Sequence, residues 1–151
     1  MVKQRQGRRS QQSRQNPIND LISEINNADS LKKVFVPEDY ALPNGWAHKT
    51  AESLSKDAMN SNQLRKIFTQ LKTIEEKIDR NKGNELTDEQ RNQILLLMPQ
   101  IAYAKGRNLI PWPFYNLMKE CINPKKMKDK EDYKSFVSFY TAVVAYSKLG
   151  R

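Results

Sequence analysis

The chain has 151 residues, 38% of them hydrophobic, and a formal charge of +9. That length suits one domain with one core, and the excess of lysine and arginine indicates a polyanionic partner, with nucleic acid favoured over an anionic membrane surface. The single cysteine excludes an intramolecular disulfide. Together with the lack of a signal segment and of an apolar run of ~20 residues, it predicts a cytoplasmic protein without a membrane span.

Residues 1–15 contain five cations, no acid and few apolar side chains, which predicts a disordered basic tail before a single α-helical domain over residues 16–151. Asn16 followed by Pro17 is typical of a helix N-terminus. Apolar residues then recur at helical spacing and predict a first helix to about Asn27. They are Ile18, Leu21, Ile22 and Ile25.

Residues 28–48 contain Pro37, Pro43 and Gly45, which indicate an irregular connection that Trp46 anchors on the core. A short helix is expected from about Ala47 to Ala58.

The longest helix is predicted over residues 61–81, ended by Gly83. Its apolar stripe comprises Leu64, Ile67, Phe68, Leu71, Ile74 and Ile78. Thr87 and Gln90 have capping-box spacing. The apolar run from Ile94 to Met98 is expected to lie centrally, with Pro99 splitting the helix and Gly106 ending it.

Pro111 and Pro113 begin another helix, with Phe114, Leu117, Met118 and Ile122 directed inward. The segment KKMKDKED is predicted to be a solvated connection to a last apolar helix. That helix carries Tyr133, Phe136, Val137, Tyr140, Val143 and Val144. No segment alternates as a strand would, so the expected fold class is all-α, a compact bundle of five or six helices.

Catalytic and metal-binding chemistry is not indicated. His48 is the only histidine, and Cys121 falls on a predicted apolar face, so neither a histidine pair nor a typical zinc site is available. The carboxylates cluster beside cations or in first helical turns, where they serve helix stability. No catalytic residue, metal or cofactor is therefore expected.

Basic side chains do form patterns. On the helix over residues 61–81, Arg65, Lys66 and Thr69 lie opposite the apolar stripe and are candidates for phosphate contacts, with Gln63 as a weaker one. The alternative is an ordinary solvated face, to which an ion pair between Lys72 and Glu76 would belong.

Two predicted helix ends carry cations around a glycine. Lys105 and Arg107 flank Gly106, and Lys148 precedes Gly150. Cations at a helix C-terminus have a structural explanation in the helix dipole, but Arg107 lies past the expected stop and is free to reach a phosphate. The aromatic residues around Trp112 and Phe136 are assigned to packing, with exposure left open for Tyr115 and Phe139.

Three stretches resemble one family: SNQLRKIFTQLKTIEEKI (61–78), LLLMPQIAYAKGR (95–107) and FVSFYTAVVAYSKLG (136–150). Their motifs are similar to those of the small helical subunit of the type III-A CRISPR effector, the Csm complex. Ser147 and Thr141 depart from the family pattern, so no role is transferred to them. The resemblance does not extend to the residues before 49.

The resemblance implies a non-catalytic subunit that stacks in several copies and contacts crRNA and target RNA, beside the backbone and large subunits that carry the chemistry. Gln63, Arg65, Lys66, Thr69, Lys105, Arg107 and Lys148 are its candidate RNA contacts. Two alternatives are a free-standing protein that binds single-stranded nucleic acid through its basic tail, and a helical protein–protein adaptor.

Overall fold

Every regular element within residues 16–149, the part of the chain that the computed structural model describes, is helical. This confirms the all-α class. The predicted basic tail (1–15) and the last two residues lie outside the described residues. The elements are α1 (Pro17–Asn27), α2 (Leu31–Val34), α3 (Pro37–Tyr40), α4 (Trp46–Lys56), α5 (Ser61–Asp79), α6 (Asp88–Leu95), α7 (Leu97–Gly106), α8 (Trp112–Cys121) and α9 (Lys130–Ser147).

Short polar caps fix where the main helices begin. Asn16 accepts a hydrogen bond from the backbone N–H of Ile18 at 3.0 Å, as the sequence predicts for α1. Thr87 and Gln90 form the predicted capping box of α6. Each cap satisfies a backbone donor that has no partner inside its own helix.

Helix α9 is the centre of the packing, since it contacts α2, α4 and α5, while α1 lies against α4 and α8. Tyr133 and Phe136 on α9 are completely buried. The α2 segment places the Phe35 ring in a stack with Phe139 at 4.4 Å between centroids. Phe139, whose exposure the sequence left open, is therefore part of the core.

The fold has more helical segments than the five or six expected. The connection before α4 forms the one-turn helices α2 and α3, and α5 ends at Asp79 instead of continuing to about residue 81. Gly83 does adopt a left-handed backbone with φ +85°, but it does so in the loop beyond the helix end. It therefore shapes the connection to α6 and does not cap α5 as predicted.

The prediction of a central, buried run from Ile94 to Met98 is wrong in part. Ile94 and Leu97 are buried, whereas Leu95 and Leu96 are exposed. The helix breaks at Leu96, upstream of the predicted position. Pro99 falls in the first turn of α7, where a missing N–H loses no helical hydrogen bond.

The segment KKMKDKED is not the solvated connection predicted. Met127, Lys130 and Asp132 are buried. The Asp132 carboxylate accepts the backbone N–H groups of Lys32 at 2.9 Å and Lys128 at 2.8 Å. This buried carboxylate joins the start of α9 to α2. The number of charged residues in the segment had suggested that it is solvated, and it was not a sufficient guide to burial.

Candidate nucleic-acid interface

The first half of α5 presents polar side chains because Leu64, Ile67 and Leu71 turn the opposite face into the core. Arg65 and Lys66 are exposed, and Gln63 is half-buried. Thr69 is exposed, but its hydroxyl donates to the carbonyl of Arg65 at 3.1 Å. The single hydroxyl hydrogen of Thr69 is therefore occupied, which makes it the least available phosphate donor of this group.

The predicted ion pair between Lys72 and Glu76 is replaced by one with Glu75, at 2.8 Å between Nζ and Oε1. The spacing is i,i+3 instead of i,i+4. Lys72 thus belongs to the ordinary solvated part of α5.

The second group lies at the end of α7. Ile101 and Ala104 are buried, and the N–H of Arg107 bonds to the carbonyls of Tyr103 and Ala104. The left-handed residue after the helix is Asn108, with φ 60°, and Gly106 is still helical. The helix thus ends at Gly106 as predicted, with Arg107 exposed just past it, but the left-handed turn comes two residues later, at Asn108.

Each of these two cations lies over an aromatic ring. The Lys105 Nζ is 4.6 Å from the centroid of Trp112, and the Arg107 guanidinium carbon is 5.8 Å from that of Tyr103. Both distances are within the range of a cation–π interaction. The side chains of Lys105 and Arg107 are thereby held near the aromatic rings at the protein surface.

Trp112 and Tyr103 are exposed to 59% and 69%, so the assignment of Trp112 to core packing is wrong. The sequence held a signal that was missed. The buried stripe of α8 begins with Phe114 and continues at helical spacing through Leu117 and Cys121. Trp112, two residues before Phe114, is out of phase with that stripe.

Two hydrogen bonds link α5 and its N-cap to α7 and the loop after it, with the two helices antiparallel. The N–H of Asn60 bonds to the carbonyl of Leu109 at 3.2 Å, and the Gln70 side chain donates to Gln100 at 2.6 Å. The first bond brings the N-terminus of α5 next to the loop that follows α7. The two predicted basic groups therefore share one end of the bundle.

Lys148 follows α9 and is exposed. Its neighbour Ser147 lines a small cavity together with Met59 and Ser61, which places the C-terminus of α9 beside the N-terminus of α5. The cations at this end are called the basic end surface below. They are the exposed Arg65, Lys66, Arg107 and Lys148 and the half-buried Lys105.

Within residues 16–149, none of these five cations forms an ion pair. At the opposite end, two lysines are engaged with the fold, whereas Lys125 and Lys128 are exposed. Lys126 donates to the carbonyls of Asn26 and Ala28 at the end of α1, and Lys32 pairs with Asp129 at 2.6 Å. The basic end surface thus has charge available for an outside anion.

Side chains with catalytic potential are engaged in the fold. Burial raises the pKa of the Cys121 thiol, with a smaller contribution from Glu120, which keeps it protonated. His48 accepts a hydrogen bond from the N–H of Asn44 at 3.0 Å and stacks on Tyr146. Among residues 16–149, no group of three potential metal ligands converges, and no helix is long and apolar enough to cross a membrane.

Fold and surface together define a small all-helical protein with a basic, aromatic-bearing end. The family model described as Csm2 Type III-A matches residues 38–150. The chain therefore belongs to this family, the small subunit of the type III-A CRISPR effector known as the Csm complex. The match confirms the resemblance and extends it upstream to α3. No curated protein and no solved structure matches the chain.

Proposed function

We propose that this chain is a non-catalytic subunit of the type III-A effector that stacks in several copies and binds the backbone of crRNA and target RNA. The observation that carries the proposal is the basic end surface, where three helix ends bring together cations without ion pairs among the described residues. Family membership supplies the complex in which this surface acts.

Arg65, Lys66 and Arg107 are suited to phosphate oxygens, with Lys105 and Lys148 beside them. Such contacts position a strand without identifying its bases. This suits a guide–target duplex, which proteins recognise by shape and backbone while base pairing supplies the sequence. Gln63 remains a candidate, and Thr69 would first have to release the carbonyl of Arg65.

The expected partners are crRNA, target RNA, the backbone and large subunits, and further copies of this chain. Apolar side chains left uncovered at helix ends are the proposed stacking contacts. Leu95 and Leu96 are exposed at the break between α6 and α7, and Leu149 is exposed after α9. Other subunits would then carry out catalysis. We expect the complex to be cytoplasmic and this chain to bind no metal or cofactor.

A reconstituted type III-A complex tests the proposal. We expect Lys105→Glu with Arg107→Glu to assemble normally and to capture target RNA more weakly. The matched control is Lys125→Glu with Lys128→Glu, two exposed lysines that precede α9 at the far end of the bundle. Both variants change the net charge equally.

Equal target capture by the two variants would show that only total charge matters and would overturn the proposed surface. Failure of an untagged copy of this chain to co-purify with a crRNA-containing complex would overturn the proposed membership in a working effector.

A further inference from the structure

The exposed aromatic residues on α7 and α8 have no role in the core. Tyr103 and Trp112 leave more than half of their surface in water. Trp112 lines a shallow cavity of about 390 Å³ together with Lys105 and Tyr115. Tyr103 is outside this lining, but its neighbour in the chain, Ala102, belongs to it. The cavity is open to solvent.

The chemistry around these rings favours an anionic ligand. No aspartate or glutamate occurs between Glu89 and Glu120, while Arg91, Lys105, Arg107 and Lys119 lie in that interval. Aromatic and arginine side chains are also typical of protein–protein contacts. No acidic residue occurs in α7 or in α8 before Glu120, near its C-terminus. The cations beside the rings also form no ion pair within residues 16–149, and together these observations point to nucleic acid.

We propose that Trp112 and Tyr103 form a stacking platform for unpaired bases of RNA, with Lys105 and Arg107 contacting the flanking phosphates. This rests on the proposed function, and it adds base contacts to a surface otherwise assigned to the backbone alone. Every base has a π-face, so stacking tolerates any sequence. Bases within a duplex are already stacked on their neighbours and are not available.

The rings are held ready for such a ligand. Trp112 meets Tyr115 edge-on, with centroids 5.5 Å apart and planes at 90°. Both rings are attached to helical backbone, since Tyr103 lies in α7 and Trp112 is the first residue of α8. A stacked base would therefore immobilise little additional side-chain freedom. The lysine over Trp112 can move aside and still reach an adjacent phosphate, because its stem is flexible.

Binding by the full-length chain to single-stranded RNA of about ten nucleotides, which carries one 2-aminopurine, tests the platform. Stacking on an aromatic ring quenches 2-aminopurine fluorescence, a signal that phosphate contacts alone do not produce. We expect Trp112→Ala and Tyr103→Ala each to weaken binding about tenfold or more and to reduce the quenching. Trp112→Phe should retain both, and Leu42→Ala, which shortens another exposed apolar side chain, should change neither.

A strand of equal length with abasic sugars separates the two kinds of contact. The alanine variants should bind it within about twofold of the wild type, because it offers phosphates without bases. An equal loss of affinity for the abasic strand, or unchanged affinity and quenching with the normal strand, would overturn the platform.

The two proposals fail in different ways. If Lys105→Glu with Arg107→Glu weakens binding of both strands while the aromatic variants bind normally, the platform is wrong and the proposed function stands. If the wild-type chain binds neither strand at low salt, both proposals fail. If the aromatic variants bind RNA normally but drop out of the reconstituted complex, the rings contact another subunit and the platform is overturned.

Discussion

The hydroxyl of Tyr140 donates a hydrogen bond of 2.8 Å to the backbone carbonyl of Leu64, inside the core between α9 and α5. Two turns earlier on α9, Tyr133 makes the equivalent bond to Leu71 at 2.7 Å. The two bonds fix the antiparallel register of the helices. That register places the C-terminus of α9, and Lys148 with it, beside the start of α5.

The first prediction concerns these tyrosines. Tyr133→Phe and Tyr140→Phe should each lower the free energy of unfolding by about 1 kcal/mol, because a buried hydrogen bond is lost while the ring is kept. Burial raises the pKa of both hydroxyls. The native state therefore holds their protons after the unfolded chain has released them, and stability should fall as the pH rises above about 10.

Urea denaturation of the wild type and of both variants at neutral and alkaline pH measures these effects. The double phenylalanine variant should lose much of the alkaline decline. An identical decline in wild type and double variant would show that other groups cause it.

Local sequence signals predicted the parts of the fold that depend on neighbouring residues. The cap at Asn16, the Thr87–Gln90 capping box and the inward stripe of α8 follow from spacing alone, and all occur. The signals failed where distant segments decide the outcome. Asp132 is buried because α2 brings the backbone N–H of Lys32 to it, a contact between residues one hundred positions apart.

The same limit applies to the candidate site. The exposure of Arg107 was predictable from its position just past a helix end, whereas Lys105 is half-buried over Trp112. Helix α5 begins where α7 and α9 end, and this brings Lys66 and Lys148 to the same end of the bundle. The arrangement depends on the packing register and on the bond between Asn60 and Leu109. Trp112 was wrongly assigned to the core because the prediction considered its hydrophobicity and not its position on the helix relative to Phe114.

Phe68 and Leu71 provide the second prediction. The stripe of α5 suggested that Phe68→Ala would cost ~3–5 kcal/mol. Phe68 is only half-buried, although its ring lies parallel to Tyr140 with centroids 6.4 Å apart. Leu71 is completely buried. Leu71→Ala should therefore be the more damaging change, at ~3 kcal/mol against ~2 kcal/mol for Phe68→Ala.

Chemical denaturation of the two variants under the same conditions gives the comparison. A larger loss for Phe68→Ala would mean that its ring is covered in solution, for instance by a second copy of the chain, and the measurement should then depend on protein concentration.

The third prediction concerns the contact between Lys32 and Asp129. Burial, the largest single influence, raises the pKa of Asp129, but the hydrogen bond from Lys32 and the backbone N–H of Asp132 together hold it below its ordinary value. The native state thus binds fewer protons than the unfolded chain. The contribution of Asp129 is present above about pH 4 and is lost as the pH falls through the lower native pKa.

Asp129→Asn should reduce the loss of stability between about pH 5 and pH 2, because the amide still caps α9 but no longer titrates. Asp29→Asn is the matched control, since Asp29 pairs with Lys33 at 3.6 Å in an exposed position. Thermal unfolding across this pH range should separate the two. An unchanged acid profile in Asp129→Asn would contradict the assignment.

The last prediction concerns the salt dependence of RNA binding at the basic end surface. Each cation that binds a phosphate of a single strand releases a counterion, so removing one such cation should lower the slope of log affinity against log salt by ~0.7. Lys105→Glu with Arg107→Glu should therefore reduce the slope by ~1.4. Helix content should change little, since Arg107 lies past the end of α7 and Lys105 is in its last turn.

Sequence preference should stay the same in this variant, because phosphate contacts position a strand without distinguishing bases. Titrations of single-stranded RNA at several salt concentrations, with circular dichroism as the check on folding, measure slope and affinity together. The control with Lys125→Glu and Lys128→Glu should keep the wild-type slope, because those exposed lysines lie at the far end of the bundle. A folded Lys105→Glu, Arg107→Glu variant with unchanged slope and affinity would mean that these cations serve only the helix end and the aromatic rings beneath them.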